Sequence, residues 1–266
     1  MNVSVVIPTF NSAVFLAPTL KSVLRQTLQP MEILVVDDGS SDETVAVAER
    51  TLGGSVVHWS VLRCAHAGPG ATRNAGIKAA KGQWIAFLDS DDLWLETKLE
   101  RVAEAQRGHP DANFFCHAEE HRHLDGSSSI TDYGNWYRAD APLTRQLFKR
   151  NLFSTSAVVC RRELLVQHGG FDSTLPSGQD YELWLRLAPA LRVAFIREVQ
   201  GCYVDRAGNI TSRSAWSRLW QRLRILTRHK EQVGCTLYAS AVTITTLATL
   251  RGQARELAWW RKFVSL

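Results

Sequence analysis

The first hundred residues alternate between short apolar runs and segments in which apolar residues recur with helical spacing. Apolar runs that stop at turn residues predict strands, and apolar residues at i, i+3 and i+4 predict amphipathic helices. Repeated β-α-β units of this length predict an α/β fold with a Rossmann-like, doubly wound and mostly parallel sheet. The predicted strands are 3–7, 32–36, 56–62 and 84–88, and the predicted helices are 12–29, 42–52 and 70–81.

The pattern is less regular after residue 117. Residues 120–141 are rich in turn chemistry, and we expect them to form a mobile loop. From residue 212 onward the pattern is almost wholly helical, so we expect one α/β domain over 1–205 and a helical extension over 206–266. The other predicted elements are helices over 97–107 and 180–190 and strands over 113–117 and 153–160.

Charge is distributed unevenly along the 266 residues. The net charge is +5 at pH 7, but residues 201–266 contain eleven Lys or Arg and only three Asp or Glu. Such a basic extension favours an anionic partner, either lipid headgroups or nucleic acid. No apolar run reaches eighteen residues and no signal-peptide pattern occurs, so we expect neither feature. The five widely spaced cysteines suit a reducing compartment and argue against a disulfide scaffold.

The fourth predicted strand ends abruptly in Asp89-Ser90-Asp91-Asp92. Ligands of open α/β sheets bind at the carboxyl ends of the strands, and crowded carboxylates cost stability unless a cation lies between them. Hard oxygen ligands suit Mg²⁺ or Mn²⁺, so Asp91 is a candidate metal ligand and Asp89 a candidate for orienting ribose or a metal-bound water. The alternative is a solvated turn in which one Asp caps the following helix.

Three other polar segments follow predicted strands at the same edge. Asp38 could accept a hydrogen bond from the imide N–H of a uracil-like base, and Phe10 could stack beneath that base. Arg73 supplies a permanent cation suited to phosphate oxygens. The alternatives are turn formation and helix capping for Asp37 and Asp38, and a core position for Phe10.

With these motifs, the sequence resembles the family 2 inverting glycosyltransferases of the GT-A fold. The resemblance covers about residues 1–205 and implies a nucleotide-sugar half over about 1–118 and an acceptor half over about 119–205. The motifs that carry it are Val-Ile-Pro-Thr-Phe-Asn (6–11), Val-Val-Asp-Asp-Gly-Ser-Ser-Asp (35–42), Gly-x-x-x-x-Arg-Asn-x-Gly (68–76), Phe-Leu-Asp-Ser-Asp-Asp (87–92), Gly-Gly-Phe-Asp (169–172) and Gln-Asp-Tyr-Glu-Leu-Trp-Leu-Arg (179–186).

The resemblance implies a nucleotide-sugar donor, Mn²⁺ or Mg²⁺ as cofactor, and a role for each matching residue. Asp91, in the Asp-Ser-Asp (DXD) motif, is the expected metal ligand. Arg206 stands about where many members carry a His, and it is a further candidate for the diphosphate. The residues expected to bind the donor nucleotide are Pro8, Phe10, Asp38, Arg73, Asp89 and Ser90.

The resemblance also implies that Asp180 is the general base. Inverting transfer needs a carboxylate that takes the proton of the attacking hydroxyl, and Asp180 precedes an apolar helical segment. Capping of that helix is the alternative reading for Asp180, and Glu182 is the reserve candidate for the base. Gln179 departs from the family, because many members carry an acidic residue there.

The basic extension contains an apolar stripe at helical spacing, formed by Trp216, Leu219, Trp220, Leu223 and Leu226. Residues 213–230 and 259–263 have the composition of an interfacial helix on anionic lipid. Packing of the stripe on the catalytic domain, or a dimer contact, is the alternative.

The whole pattern therefore predicts a cytoplasmic glycosyltransferase, peripheral at the inner face of the cell membrane. It would move a sugar, from a UDP-sugar by preference, to a hydroxyl acceptor of a bacterial cell-surface polysaccharide or lipid-linked glycan. The alternatives are a non-catalytic protein that binds sugar nucleotides or glycans, and a sugar nucleotidyltransferase, whose glycine-rich loop after the first strand is missing. Nucleic acid is not an expected partner, and salt-sensitive binding to DNA or RNA would contradict this.

Overall fold

The computed structural model describes residues 1–206 and 214–264, with residues 252–264 as backbone only. Most predicted elements are present, with shifts of a few residues at their ends. The strands are β1 Val3–Thr9, β2 Glu32–Asp37, β3 His58–Arg63, β4 Trp84–Phe87, β5 Leu93–Trp94, β6 Phe114–Arg122, β7 Ser128–Thr131, β8 Val158–Arg161 and β9 Val193–Val204. The helices are α1 Leu16–Leu24, α2 Thr44–Leu52, α3 Pro69–Ala79, α4 Lys98–Gly108, α5 Leu143–Lys149, α6 Arg162–Gln167, α7 Gln179–Leu187, α8 Ala215–Arg228 and α9 Cys235–Val264.

The first four strands form the parallel half of the sheet, in the order β3-β2-β1-β4. All residues of β1, β2 and β4 are buried, as expected for strands covered by helices on both faces. Two apolar clusters, one on each face, make up the core. The doubly wound α/β fold predicted for this half is therefore confirmed.

The second half of the sheet is mixed. β8 lies antiparallel between β4 and β6, β9 is parallel to β6, and the short β5 is antiparallel to β9. The predicted strand over 153–160 is shorter, because a 3₁₀ turn at Thr155–Ala157 precedes β8. The sequence pattern did not reveal these pairings, since strand direction depends on residues far apart in the chain.

The expectation of a mobile loop over 120–141 is wrong. β6 extends to Arg122 and pairs with β7, and a 3₁₀ turn follows at Tyr133–Trp136. Tyr133 is buried, and its hydroxyl donates a 2.7 Å hydrogen bond to the buried carboxylate of Glu119. A hairpin and a buried polar contact thus fix a segment whose composition is typical of loops.

The helical extension packs on the α/β domain through part of its apolar stripe. Leu219, Ile225 and Leu226 of α8 are buried, whereas Trp216 and Trp220 are exposed by 48% and 70%. Across the described residues, no helix combines the length and the apolar character that crossing a bilayer requires.

Candidate functional site

The loops after β1, β2 and β4 meet at one edge of the sheet, as the parallel arrangement requires. The amide of Asn11 donates to Ser40 Oγ at 2.9 Å, and Asn11 Oδ1 accepts from the amide of Ser41 at 2.9 Å. The hydroxyls of Ser12 and Ser90 are 2.8 Å apart, which joins the β1 loop to the β4 loop. The predicted convergence of these segments is therefore observed.

The two neighbouring aspartates after β2 have different partners. Asp37 accepts hydrogen bonds from the amide and hydroxyl of Ser40 and from the hydroxyl of Thr9, so it stabilises the turn. Asp38 is also buried, but its carboxylate accepts from the amides of Ala67 and Gly68 at 2.8 and 2.9 Å. The turn-forming alternative therefore describes Asp37, whereas Asp38 holds the loop between β3 and α3.

A stacked pair of rings lies beside Asp38. Phe10, which follows Pro8 and β1, is 47% exposed, and its ring stacks on that of His66 at 4.4 Å with 29° between the planes. Nδ1 of His66 is 2.9 Å from Asp38 Oδ2. The core alternative for Phe10 does not apply. Sequence reasoning missed His66, although its place in the loop before the Gly68 motif was a usable signal.

Arg73 reaches the same edge from inside α3. Its Nη2 is 2.5 Å from Asp89 Oδ1, and its side chain is only 9% exposed. The next residue in the motif, Asn74, exchanges two 2.8 Å hydrogen bonds with the backbone of Phe171. Arg73 therefore pairs with Asp89 just after the end of β4, and its Nε has no partner among the described residues.

Asp91 is in contact with the guanidinium of Arg206, which follows β9. The same guanidinium lies 3.6 Å from the centre of the Phe15 ring. Burial lowers the pKa of Arg206, but the group remains cationic at any physiological pH. The structure thus places a positive charge on the carboxylate predicted to bind a metal.

The last aspartate of the motif, Asp92, has a structural role. It is buried and accepts hydrogen bonds from Ser156 Oγ at 2.6 Å and from the amide of Val204 at 3.2 Å. Burial, then the charges of Asp89 and Glu119, raise its pKa well above the ordinary value. Ser156 Oγ also accepts from the amide of Asp89 at 3.1 Å, so this pair fixes the backbone of the loop that carries Asp89 and Asp91.

Asp180 lies in the first turn of α7. Gly178, at φ +72°, precedes this helix, and a Cβ on Gly70 of α3 would lie 3.4 Å from Cγ of Gln179. Burial raises the pKa of Asp180, whereas the charge of Arg73 lowers it and that of Asp89 raises it. Both charges therefore act on Asp180, which lies at the same edge as the Arg73–Asp89 pair.

Glu182 faces the helical extension instead. Its carboxylate is 7% exposed and lies 2.8 Å from Arg186 Nη2 and 3.1 Å from His229 Nε2. Burial alone would raise its pKa, but the hydrogen bonds from His229 and Arg186 outweigh burial and lower the pKa. Its oxygens are thus engaged by an ion pair within α7 and by a hydrogen bond from His229 at the end of α8, which favours Asp180 over Glu182 as the candidate base.

The donor set at Asp89 and Asp91 fits a divalent cation. Mg²⁺ and Mn²⁺ at phosphate sites are bound by one or two carboxylates together with substrate oxygens, rather than by cages of protein ligands. In the described part of the chain, no group of three His, Cys, Asp or Glu side chains is arranged to hold a metal ion. Asp91, 19% exposed and already facing a cation, is the carboxylate best placed for this role.

Comparison with known proteins decides the family. Residues 4–163 match the family model described as glycosyl transferase family 2. The chain belongs to this family. It spans between 30% and 62% of the length of the curated relatives it matches. One of them is the GalNAc(5)-diNAcBac-PP-undecaprenol β-1,3-glucosyltransferase of Campylobacter jejuni, 27% identical over 186 residues, which are 69% of this chain and 59% of that protein.

Solved structures of the GT-A fold superpose on this family 2 chain. TarS of S. aureus in complex with UDP-GlcNAc matches with a TM-score of 0.69 and 22% identity, over 85% of this chain and 66% of that one. The mannosyltransferase PcManGT from Pyrobaculum calidifontis, in complex with GDP-Man and Mn²⁺, matches with a TM-score of 0.64 and 18% identity, over 96% of this chain and 75% of that one. The resemblance drawn from the motifs and the GT-A fold are both confirmed.

Proposed function

We propose that this family 2 glycosyltransferase is a metal-dependent inverting enzyme. It would move a sugar from a nucleoside diphosphate, with UDP favoured, to a hydroxyl acceptor in bacterial cell-surface polysaccharide or lipid-linked glycan synthesis. The observation that carries the proposal is the meeting of Asp180, Arg73 and Asp89 at one sheet edge. A partly buried carboxylate beside a phosphate-binding cation is what direct displacement at a sugar carbon needs.

Asp180 acts as the general base. Its carboxylate takes the proton of the acceptor hydroxyl as that oxygen forms a bond to the anomeric carbon. The bond from this carbon to the diphosphate oxygen breaks, and its electron pair leaves with the diphosphate. Burial raises the pKa of Asp180, which makes it a stronger base than an exposed Asp.

Arg73 and Arg206 stabilise the departing diphosphate, and Asp91, with Asp89 beside it, would hold the cation. A bound Mn²⁺ or Mg²⁺ supplies Lewis-acid stabilisation of the negative charge that develops on the leaving group. The phosphates take over contacts that Arg73 and Arg206 now make with Asp89 and Asp91. Mn²⁺ in the PcManGT complex supports the choice of metal.

The nucleoside binds beside Asp38 and Phe10. Asp38 accepts the imide N–H of uracil, Phe10 stacks on the base, and Pro8 and Ser90 line the site next to them. UDP-GlcNAc in the TarS complex supports a uridine donor, and GDP-Man in PcManGT shows that the same fold accepts guanosine. Thymine presents the same imide edge as uracil, so TDP is included in the titration described next.

Calorimetric titration of UDP, GDP and TDP, first with Mn²⁺ and then with EDTA, tests the proposal. We expect metal-dependent binding of one nucleotide, its loss in Asp91→Ala, and its retention in Asp180→Asn. Hydrolysis or transfer of the matching sugar nucleotide should be lost in Asp180→Asn. Binding without any turnover by the unmodified protein would favour the non-catalytic alternative, and absence of binding would refute the donor site.

We also propose that the protein is cytoplasmic and peripheral at the inner face of the membrane. Trp216, Trp220 and Arg224 are exposed at i, i+4 and i+8 on one face of α8, and aromatic and basic residues together suit anionic lipid. The lipid-linked substrate in the name of the C. jejuni relative supports this placement. Residue 213 and the side chains of 259–263, which the sequence also suggested, lie outside the described residues.

A further inference from the structure

We propose that His66 occupies the nucleobase position in the free protein and that the donor must displace it to bind. The inference rests on the proposed function, because it assigns the base to Phe10 and Asp38. It adds a residue to this subsite and explains how the subsite is filled when the donor is absent.

The His66 ring makes both contacts that a pyrimidine would make here. It is flat and aromatic, and it stacks on Phe10 at 4.4 Å with 29° between the planes. Its Nδ1 donates a hydrogen bond to the backbone oxygen of Asp38 at 3.1 Å and lies 2.9 Å from Asp38 Oδ2, so the imidazole N–H stands where the imide N–H of uracil would lie. Stacking and a donor to a buried carboxylate are thus combined in one side chain.

A base and the His66 ring compete for the same atoms. Asp38 Oδ1 accepts from the amide of Ala67 and Oδ2 accepts from the amide of Gly68, and Nδ1 of His66 lies 2.9 Å from Oδ2. The two amides are part of the loop and stay in place, so the His66 contact is the one that can be exchanged. Withdrawal of the ring leaves a lone pair on Oδ2 and an uncovered face on Phe10.

Displacement of His66 costs little. The side chain is 61% exposed, and its Nε2 has no hydrogen-bond partner among the described residues. The competing contacts amount to one hydrogen bond and one partly exposed ring pair, so we expect UDP to bind about 3-fold to 10-fold more tightly to His66→Ala.

Calorimetric titration with Mn²⁺ present compares UDP, GDP, TDP and pyrophosphate as probes. Tighter binding should be confined to the nucleotides, because pyrophosphate has no base and should bind the variant and the unmodified protein equally. His66→Phe keeps a ring stacked on Phe10 but removes the contact with Asp38. We therefore expect a smaller increase in nucleotide affinity for His66→Phe than for His66→Ala. His58→Ala, which removes another exposed imidazole at the start of β3, is the matched control and should change nothing.

Weaker nucleotide binding by His66→Ala would overturn the inference, because it would make His66 a wall of the site that contacts the bound base. Equal binding would overturn it as well, as would an equal gain for pyrophosphate. In each of these cases the unmodified protein still binds a nucleotide and the proposed function stands. If neither protein binds any nucleotide, the proposed function fails and the inference fails with it.

Discussion

The sequence suggests two candidates for the general base, Asp180 and Glu182. Replacement of Glu182 by Gln distinguishes between them. In the structure Glu182 accepts hydrogen bonds from Arg186 of α7 and His229 at the end of α8, at 2.8 and 3.1 Å. Gln has the same shape but no charge, and its amide N–H₂ would face at least one N–H donor, Nη2 of Arg186. We therefore expect Glu182→Gln to lower stability and to leave the chemistry in place.

The magnitude follows from the burial of the pair. Removal of one partner of a buried ion pair costs about 3–5 kcal/mol, and the remaining amide oxygen recovers about 1 kcal/mol through one hydrogen bond. The free energy of unfolding should fall by about 2–4 kcal/mol, which corresponds to a decrease in Tm of very roughly 5–15 °C for a chain of this size. Asp180→Asn is the matched variant, because loss of a carboxylate whose pKa is raised by burial should not destabilise the fold at neutral pH.

Urea denaturation of both variants, together with UDP titration and a transfer assay, measures these effects. We expect Glu182→Gln to be destabilised but active at low temperature, and Asp180→Asn to be stable and at least about 100-fold slower. The pKa of Glu182 is lowered from 4.5, so its stabilisation is present above this pH and is lost as the pH falls through the folded value. A stable but inactive Glu182→Gln would refute the assignment and make Glu182 the base.

Three other variants test separate features. Arg206→Gln removes the cation that now contacts Asp91 and should tighten the binding of Mn²⁺ alone, measured by electron paramagnetic resonance without nucleotide. Gly76→Ala would place a Cβ 2.4 Å from Cγ1 of Val6, where α3 packs on β1, and should cost about 1–3 kcal/mol in urea denaturation. Trp220→Ser should weaken sedimentation with vesicles that contain anionic lipid and leave UDP binding unchanged.

Each of these variants has a control in the same chain. Arg25→Gln removes an exposed ion-paired Arg and should not alter Mn²⁺ affinity. Gly54→Ala places a Cβ with no atom within 4 Å and should leave stability nearly unchanged. Trp136→Ser removes an exposed Trp outside the extension and should not alter vesicle binding. Equal effects of a variant and its control would contradict the corresponding reasoning.

The parallel half of the fold was predictable because its information is local. Residues 84–88 form a continuous apolar run, which is typical of a strand covered by helices on both faces of the sheet. Asp89 and Asp91 follow this run directly. Since parallel strands present their carboxyl ends at one edge, the meeting of Phe10, Asp38 and Asp89 followed from strand order alone.

The remainder depended on contacts between distant residues. Nothing in the neighbourhood of Glu182 shows that His229 will pair with it, and nothing near Asp91 shows that Arg206 will lie against it. The stacking of His66 on Phe10 likewise joins residues from two loops. The antiparallel position of β8 between β4 and β6 could not be predicted for the same reason, because strand pairing depends on contacts between residues far apart in the chain.

The contacts of α8 with the neighbourhood of α7 limit how this protein can be divided or recombined. Arg228 pairs with Asp172, His229 pairs with Glu182, and Ile225 approaches Gly178 just ahead of Asp180. A chain cut after residue 205 would leave Glu182 without one partner and would expose apolar surface beside Asp180, the proposed general base. A chimera that exchanges the extension between relatives must therefore exchange these facing residues as well, because each contact depends on a residue from both segments.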